Sequence, residues 1–193
     1  STLNESIASK ETLPTVNDVI DRNPLFDSTS LKKTDFTKLI EKLLKSKNDG
    51  NVLYKQKKYE DAIKIYKEGI DSYNKESKDV NREIGYNEQS KEVLDSYKKV
   101  IANTALSYYK QGKFEESIKY DLIMIQNDSK YDRSFIRLFK AYTKLNKLNQ
   151  AVYFANIFKK FDEVIKKKYK NIEEEINNTA KKLELLQNIA KKK

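Results

Sequence analysis

The stretch Lys47 to Ile70, KNDGNVLYKQKKYEDAIKIYKEGI, decides how this chain folds. Small and apolar residues recur in it at helical spacing: Gly50, Leu53 and Tyr54 in one run, then Ala62, Ile63, Tyr66 and Ile70 in a second. The polar KQKK of Lys55 to Lys58 separates the two runs. That pattern predicts two short helices packed as a hairpin. A pair this small cannot bury its apolar face alone, so it is expected to be one unit of a stack.

Two looser copies follow. TALSYYKQGKFEESIKY places Ala105, Tyr108, Gly112 and Phe114 on the pattern, with Ser117 where the first copy has Ala62. FKAYTKLNKLNQAVYFA places Tyr142, Leu148 and Ala151 on it, with Phe139 at a site that is otherwise small. Phe114 to Leu148 is 34 positions and Tyr59 to Phe114 is 55, so about 21 additional residues lie between the first two copies. The three copies resemble the tetratricopeptide repeat (TPR) family, on the small residues Gly50 and Ala62, the aromatic Tyr59 and the period of 34. The resemblance implies an all-α, right-handed superhelical stack of three hairpins followed by a C-terminal capping helix.

Residues 1–33 carry both prolines and many Ser, Thr, Asn and Asp, and read as a flexible arm that docks a small patch through Pro24-Leu25-Phe26. Residues 34–193 read as the TPR domain. Thr34 is expected to cap a helix carrying Phe36, Leu39, Ile40, Leu43 and Leu44, in phase with Lys47 and Gly50. The polar segment Asp71 to Tyr86 is expected to hold a loop near 76–86 between longer second and third helices. Ile172, Ile176, Ala180, Leu183, Leu186 and Ile189 form a last amphipathic stripe, suited to cap the stack.

Composition narrows the function. The chain has no Cys and no His, no glycine-rich phosphate loop and no metal-ligand or paired-carboxylate spacing, so neither an enzyme nor a cofactor is expected. No apolar run approaches 18 residues and no charged-then-apolar amino terminus is visible; the expectation is a cytoplasmic protein without a membrane span, at most at the cytosolic face of an organelle membrane. The net charge of +10 raises nucleic-acid binding, but 29 acidic residues interleave the lysines and no nucleic-acid module is recognisable.

The informative constellation lies on the first helix of each hairpin. Lys47 and Asn51 are four apart and share a face, Asn103 falls on the second hairpin, and Arg133 and Arg137, again four apart, fall on the third. Asn103 to Arg137 is one further period of 34. The set is similar to the dicarboxylate clamp of TPR co-chaperones, which grips the end of a Glu-Glu-Val-Asp tail. By that resemblance Lys47, Asn51 and Asn103 hold the chain-end carboxylate, Arg133 and Arg137 hold groups further along, and Tyr54, Leu106 and Tyr109 surround the penultimate apolar side chain. The implied partners are the C-terminal tails of seventy- or ninety-kilodalton heat-shock chaperones. The layout is similar both to cytosolic co-chaperones of the tetratricopeptide-repeat-protein-four type and to the fungal TPR subunit of the post-translational translocation complex of the endoplasmic reticulum. The alternative is a scaffold within a larger complex that uses its convex face or final helix. Because clamp side chains face an open groove, Lys47 and Arg137 are expected to add little to stability.

Overall fold

Three turns with one hydrogen-bond pattern organise the molecule. At each stands a residue with left-handed backbone: Lys57 (φ 60°), Gly112 (φ 73°) and Asn146 (φ 56°). The N–H of each bonds a carbonyl three residues back (Tyr54, Tyr109, Thr143), and the next N–H reaches five back (Leu53, Tyr108, Tyr142). This is the Schellman ending of a helix, which satisfies the last free carbonyls while reversing the chain. Glycine adopts that conformation without strain at Gly112; Lys57 and Asn146 accept it in the other two turns.

The computed structural model describes residues 32–193, of which Asp35–Lys193 form one compact unit. Among the described residues there are eight helices and no strand. They are α1 (Thr37–Lys55), α2 (Tyr59–Glu83), α3 (Glu88–Lys110), α4 (Phe114–Asn127), α5 (Asp132–Lys144), α6 (Leu148–Phe158), α7 (Glu163–Lys166) and α8 (Ile172–Lys191). The left-handed turns pair α1 with α2, α3 with α4 and α5 with α6. Lys57 to Gly112 is 55 positions and Gly112 to Asn146 is 34, the offsets read from the sequence. The expected docking of Pro24-Leu25-Phe26 lies outside the described residues.

Each helix packs on the next from α1 to α6, while α1 also packs on α3 and α3 on α5. The first helices of the hairpins therefore form a row. One apolar cluster joins α1 to α4 around Leu43, Tyr66, Val93, Ile101 and Ala105; a second runs from α4 to α8 around Leu138, Phe139, Phe158 and Ile176. Close approach of α1 and α2 depends on Gly50, where a Cβ would fall 2.2 Å from Cε1 of the fully buried Tyr66.

Two local expectations are corrected. The chain between the first two hairpins does not loop at 76–86: α2 continues to Glu83, and only residues 84–87 connect it to α3. Tyr73 and Val80, seven apart, bury one stripe of this otherwise polar segment, and Tyr73 stacks on Tyr97 with ring centres 3.7 Å apart. At the start of α1 the capping side chain is Asp35. Its Oδ1 accepts from the Thr37 N–H at 2.9 Å and the Thr37 hydroxyl at 2.6 Å. Asp35 is one residue nearer the helix than Thr34 and offers a charged acceptor to the helix N-terminus. Gln89 of α3 then accepts from the Phe36 N–H at 2.8 Å, tying this end to the second hairpin.

The last helix packs on α6 through its first half. Ile172, Ile176 and Thr179 are buried, whereas Leu185, Leu186 and Ile189 are exposed. The stripe expected to cap the stack along its whole length thus does so only at its beginning.

Candidate functional site

The row of first helices carries all five residues singled out above: Lys47 and Asn51 on α1, Asn103 on α3, Arg133 and Arg137 on α5. Asn51 follows Gly50 directly. The notch left by the missing Cβ admits the Tyr66 ring, and the Tyr66 hydroxyl emerges to donate to Asn51 Oδ1 at 2.6 Å. Burial, with a smaller contribution from Tyr54, pushes the Tyr66 phenol up to about 12, so it keeps its proton and remains a donor at neutral pH. Asn103 Nδ2 donates to the same oxygen at 2.9 Å. With its oxygen doubly engaged, the Asn51 amide has its NH2 to offer a ligand. Lys47 stands one turn earlier on α1, half-buried.

Arg137 is held by a different kind of partner. Its Nε donates to Asp121 Oδ2 at 2.7 Å and its Nη2 to Oδ1 at 2.8 Å, a bidentate pair between α5 and α4. The Ser134 hydroxyl donates to Oδ1 at 2.7 Å, and Nη2 also reaches the Ala102 carbonyl at 3.4 Å, beside Asn103. Asp121 is fully buried and Arg137 is 11% exposed. Burial pushes the Asp121 carboxyl up from its ordinary value, against the opposing pull of Arg137 and Ser134. The fork geometry is that of an ion pair, so the charge of Arg137 is balanced inside the protein. Arg133, one turn earlier, is exposed. Its neighbour Asp132 accepts from the Tyr169 hydroxyl, which ties the segment before α8 to the start of α5.

The three residues expected around an apolar side chain are all half-buried. Tyr54 lies edge-on to Tyr59 with centroids 5.3 Å apart, and Tyr109 edge-on to Phe114 at 5.2 Å. Leu106 shares the Asn103 face of α3, three residues on. Burial pushes the Tyr54 and Tyr109 phenols up, with smaller contributions in the same direction from Tyr59 and Glu175 respectively. Beyond Tyr109 a cleft of about 460 Å³ continues between α5 and α8, lined by Lys140, Thr143 and Lys144 on one side and Glu175, Asn178 and Thr179 on the other.

Tyr66 and Asp121 escaped the reading of the sequence. A signal for Asp121 was present: it is a lone carboxylate among Ile118, Tyr120, Leu122, Ile123 and Met124, and an acid on a buried helix face needs a cation. For Tyr66 no comparable signal exists, because an aromatic at its position is also what simple packing requires.

No protein-family model matches the sequence, and no curated protein matches it. Among the described residues no helix is long and apolar enough to cross a membrane.

Proposed function

We propose that the chain is a non-enzymatic TPR adaptor whose hairpins wind into a right-handed superhelix with the first helices lining a groove. The groove binds the acidic C-terminal tail of a seventy- or ninety-kilodalton heat-shock chaperone. One observation carries the reading: Asn51 and Asn103, from different hairpins, meet through a hydrogen bond with Lys47 one turn away and Arg137 alongside. A peptide's last residue, when aspartate, brings two carboxylates together, and desolvating both needs several converging donors. Hydrogen bonds to charged groups contribute about 1.5–3 kcal/mol each before the entropy of association is subtracted. A few such bonds support micromolar binding, roughly −8 kcal/mol. Calorimetry with a Glu-Glu-Val-Asp peptide against its C-terminally amidated form tests this; tight binding of the free acid alone is expected, and equal binding of both removes the clamp.

A second reading rests on α8, where Leu185, Leu186 and Ile189 are 61%, 46% and 49% exposed. A scaffold would use such a face for another subunit. Co-purification separates the two: Lys47→Glu abolishes capture of the chaperone if the groove operates, and Leu186→Glu with Ile189→Glu abolishes capture of a subunit if the helix does.

A further inference from the structure

Tyr66 and Asp121 are 55 positions apart, the offset that also separates Lys57 from Gly112, so they occupy the same place in successive second helices. Both are fully buried. Each extends its polar end from a second helix to a residue of the first-helix row: Tyr66 to Asn51 of its own hairpin, Asp121 to Arg137 of the next. The third hairpin has Ala155 there, buried and without a polar group. Resting on the reading of the groove as a carboxylate site, we propose that this shared position sets what the groove offers a ligand. Tyr66 holds Asn51 as a donor, and Asp121 neutralises Arg137, so that a tail carboxylate is held chiefly by the two amides and Lys47.

The chemistry follows from the geometry. An asparagine amide presents either an acceptor or two donors, and a carboxylate tolerates only the donors. Two donors converge on Asn51 Oδ1, so a flipped amide would set its NH2 against that of Asn103 and forfeit the hydrogen bond that the Tyr66 hydroxyl donates. Asp121 accepts three hydrogen bonds, two of them from the guanidinium, and its negative charge lies against that group. A ligand a few ångströms away therefore meets a dipole where the sequence alone shows a full cation. Tyr66 and Asp121 are positioning residues; neither touches the ligand.

Two variants test the proposal, each with the free-acid and amidated Glu-Glu-Val-Asp peptides. Tyr66→Phe keeps the ring in the Gly50 notch and removes only the hydroxyl. It is expected to weaken binding of the free acid about fivefold, the equivalent of one neutral hydrogen bond, and to leave the amidated peptide unaffected. Asp121→Asn keeps the shape and releases the charge of Arg137. It is expected to bind the free acid several-fold more tightly, with steeper salt dependence, while the melting temperature falls. Should Asp121→Asn not fold, the double variant Asp121→Asn, Arg137→Gln removes the charges together and is expected to bind within about threefold of wild type. Weaker binding by either Asp121 variant, or unchanged affinity in Tyr66→Phe, overturns the proposal. If wild type binds both peptides alike, it is the groove reading that fails. The side-chain amide resonances of Asn51 in the peptide-free protein then still judge Tyr66: they shift in Tyr66→Phe if the hydroxyl holds the amide, and an unmoved pair overturns that part.

Discussion

Asn103 Nδ2 donates to Asn51 Oδ1 at 2.9 Å, joining side chains 52 positions apart on the first helices of successive hairpins. The bond makes two neutral amides into one donor surface. Asn103→Ala is expected to weaken binding of the free-acid tail by roughly tenfold, because a charge-assisted bond to the ligand and the support of Asn51 are lost together. Titration calorimetry checks this, with circular dichroism expected to show an unchanged helix content.

Lys47 and Arg137 should behave differently from one another. Lys47→Ala is expected to weaken the tail at least about tenfold, near 1.4 kcal/mol, with little change in melting temperature. Arg137→Ala leaves Asp121 fully buried without its counter-ion, and an uncompensated buried charge of this kind is destabilising by about 3–5 kcal/mol. Position on the groove face alone predicts that both are neutral for stability, so thermal denaturation of the pair is a direct check of the Asp121 contact.

Gly50→Ala places a methyl 2.2 Å from a ring carbon of Tyr66, which is enclosed on all sides and cannot swing away. Overpacking of this sort is destabilising by about 1–3 kcal/mol. Denaturant unfolding should show the loss, and the double variant Gly50→Ala, Tyr66→Ala should not restore tail binding, since the Asn51 partner is gone.

The cap on α1 should respond to acid. Hydrogen bonds from the Thr37 hydroxyl and, next, its N–H hold the Asp35 carboxyl below its ordinary value of 3.8. A group depressed in the folded state contributes stability above its unfolded pKa and loses it as pH falls through the folded one. Measured against the intrinsic exchange rate at each pH, protection of the Thr37 amide is therefore expected to fall below about pH 4, and Asp35→Asn should remove that change in protection.

The last helix should divide in two. Removing residues 181–193 is expected to shift the melting temperature little, since Leu185, Leu186 and Ile189 are exposed. Ile176→Ala opens a cavity in the second cluster and is expected to destabilise by about 2–5 kcal/mol. Differential scanning calorimetry of the two variants compares them directly.

What the sequence determined by itself is periodic and local. Gly50, Ala62, Ala105 and Ala151 mark where helices must approach closely, and Tyr59, Phe114 and Leu148 mark the openings of α2, α4 and α6, because helix formation and hairpin closure depend on neighbours within a few turns. The phase of Lys47, Asn51, Asn103, Arg133 and Arg137 along the first helices was legible for the same reason. Three things were decided only by tertiary structure. α2 runs through a polar segment because Tyr73 finds Tyr97 on α3, a partner 24 positions away that local propensity does not see. The stripe of α8 is buried at Ile176 and bare at Leu186, since a helical period shows which face is apolar but not how far a neighbour extends along it. Arg137 reads as a free cation until Asp121, 16 positions earlier, is brought against it across the boundary of two hairpins. Pairing of buried charges follows from which helices meet and in what register, and those are properties of the packed stack.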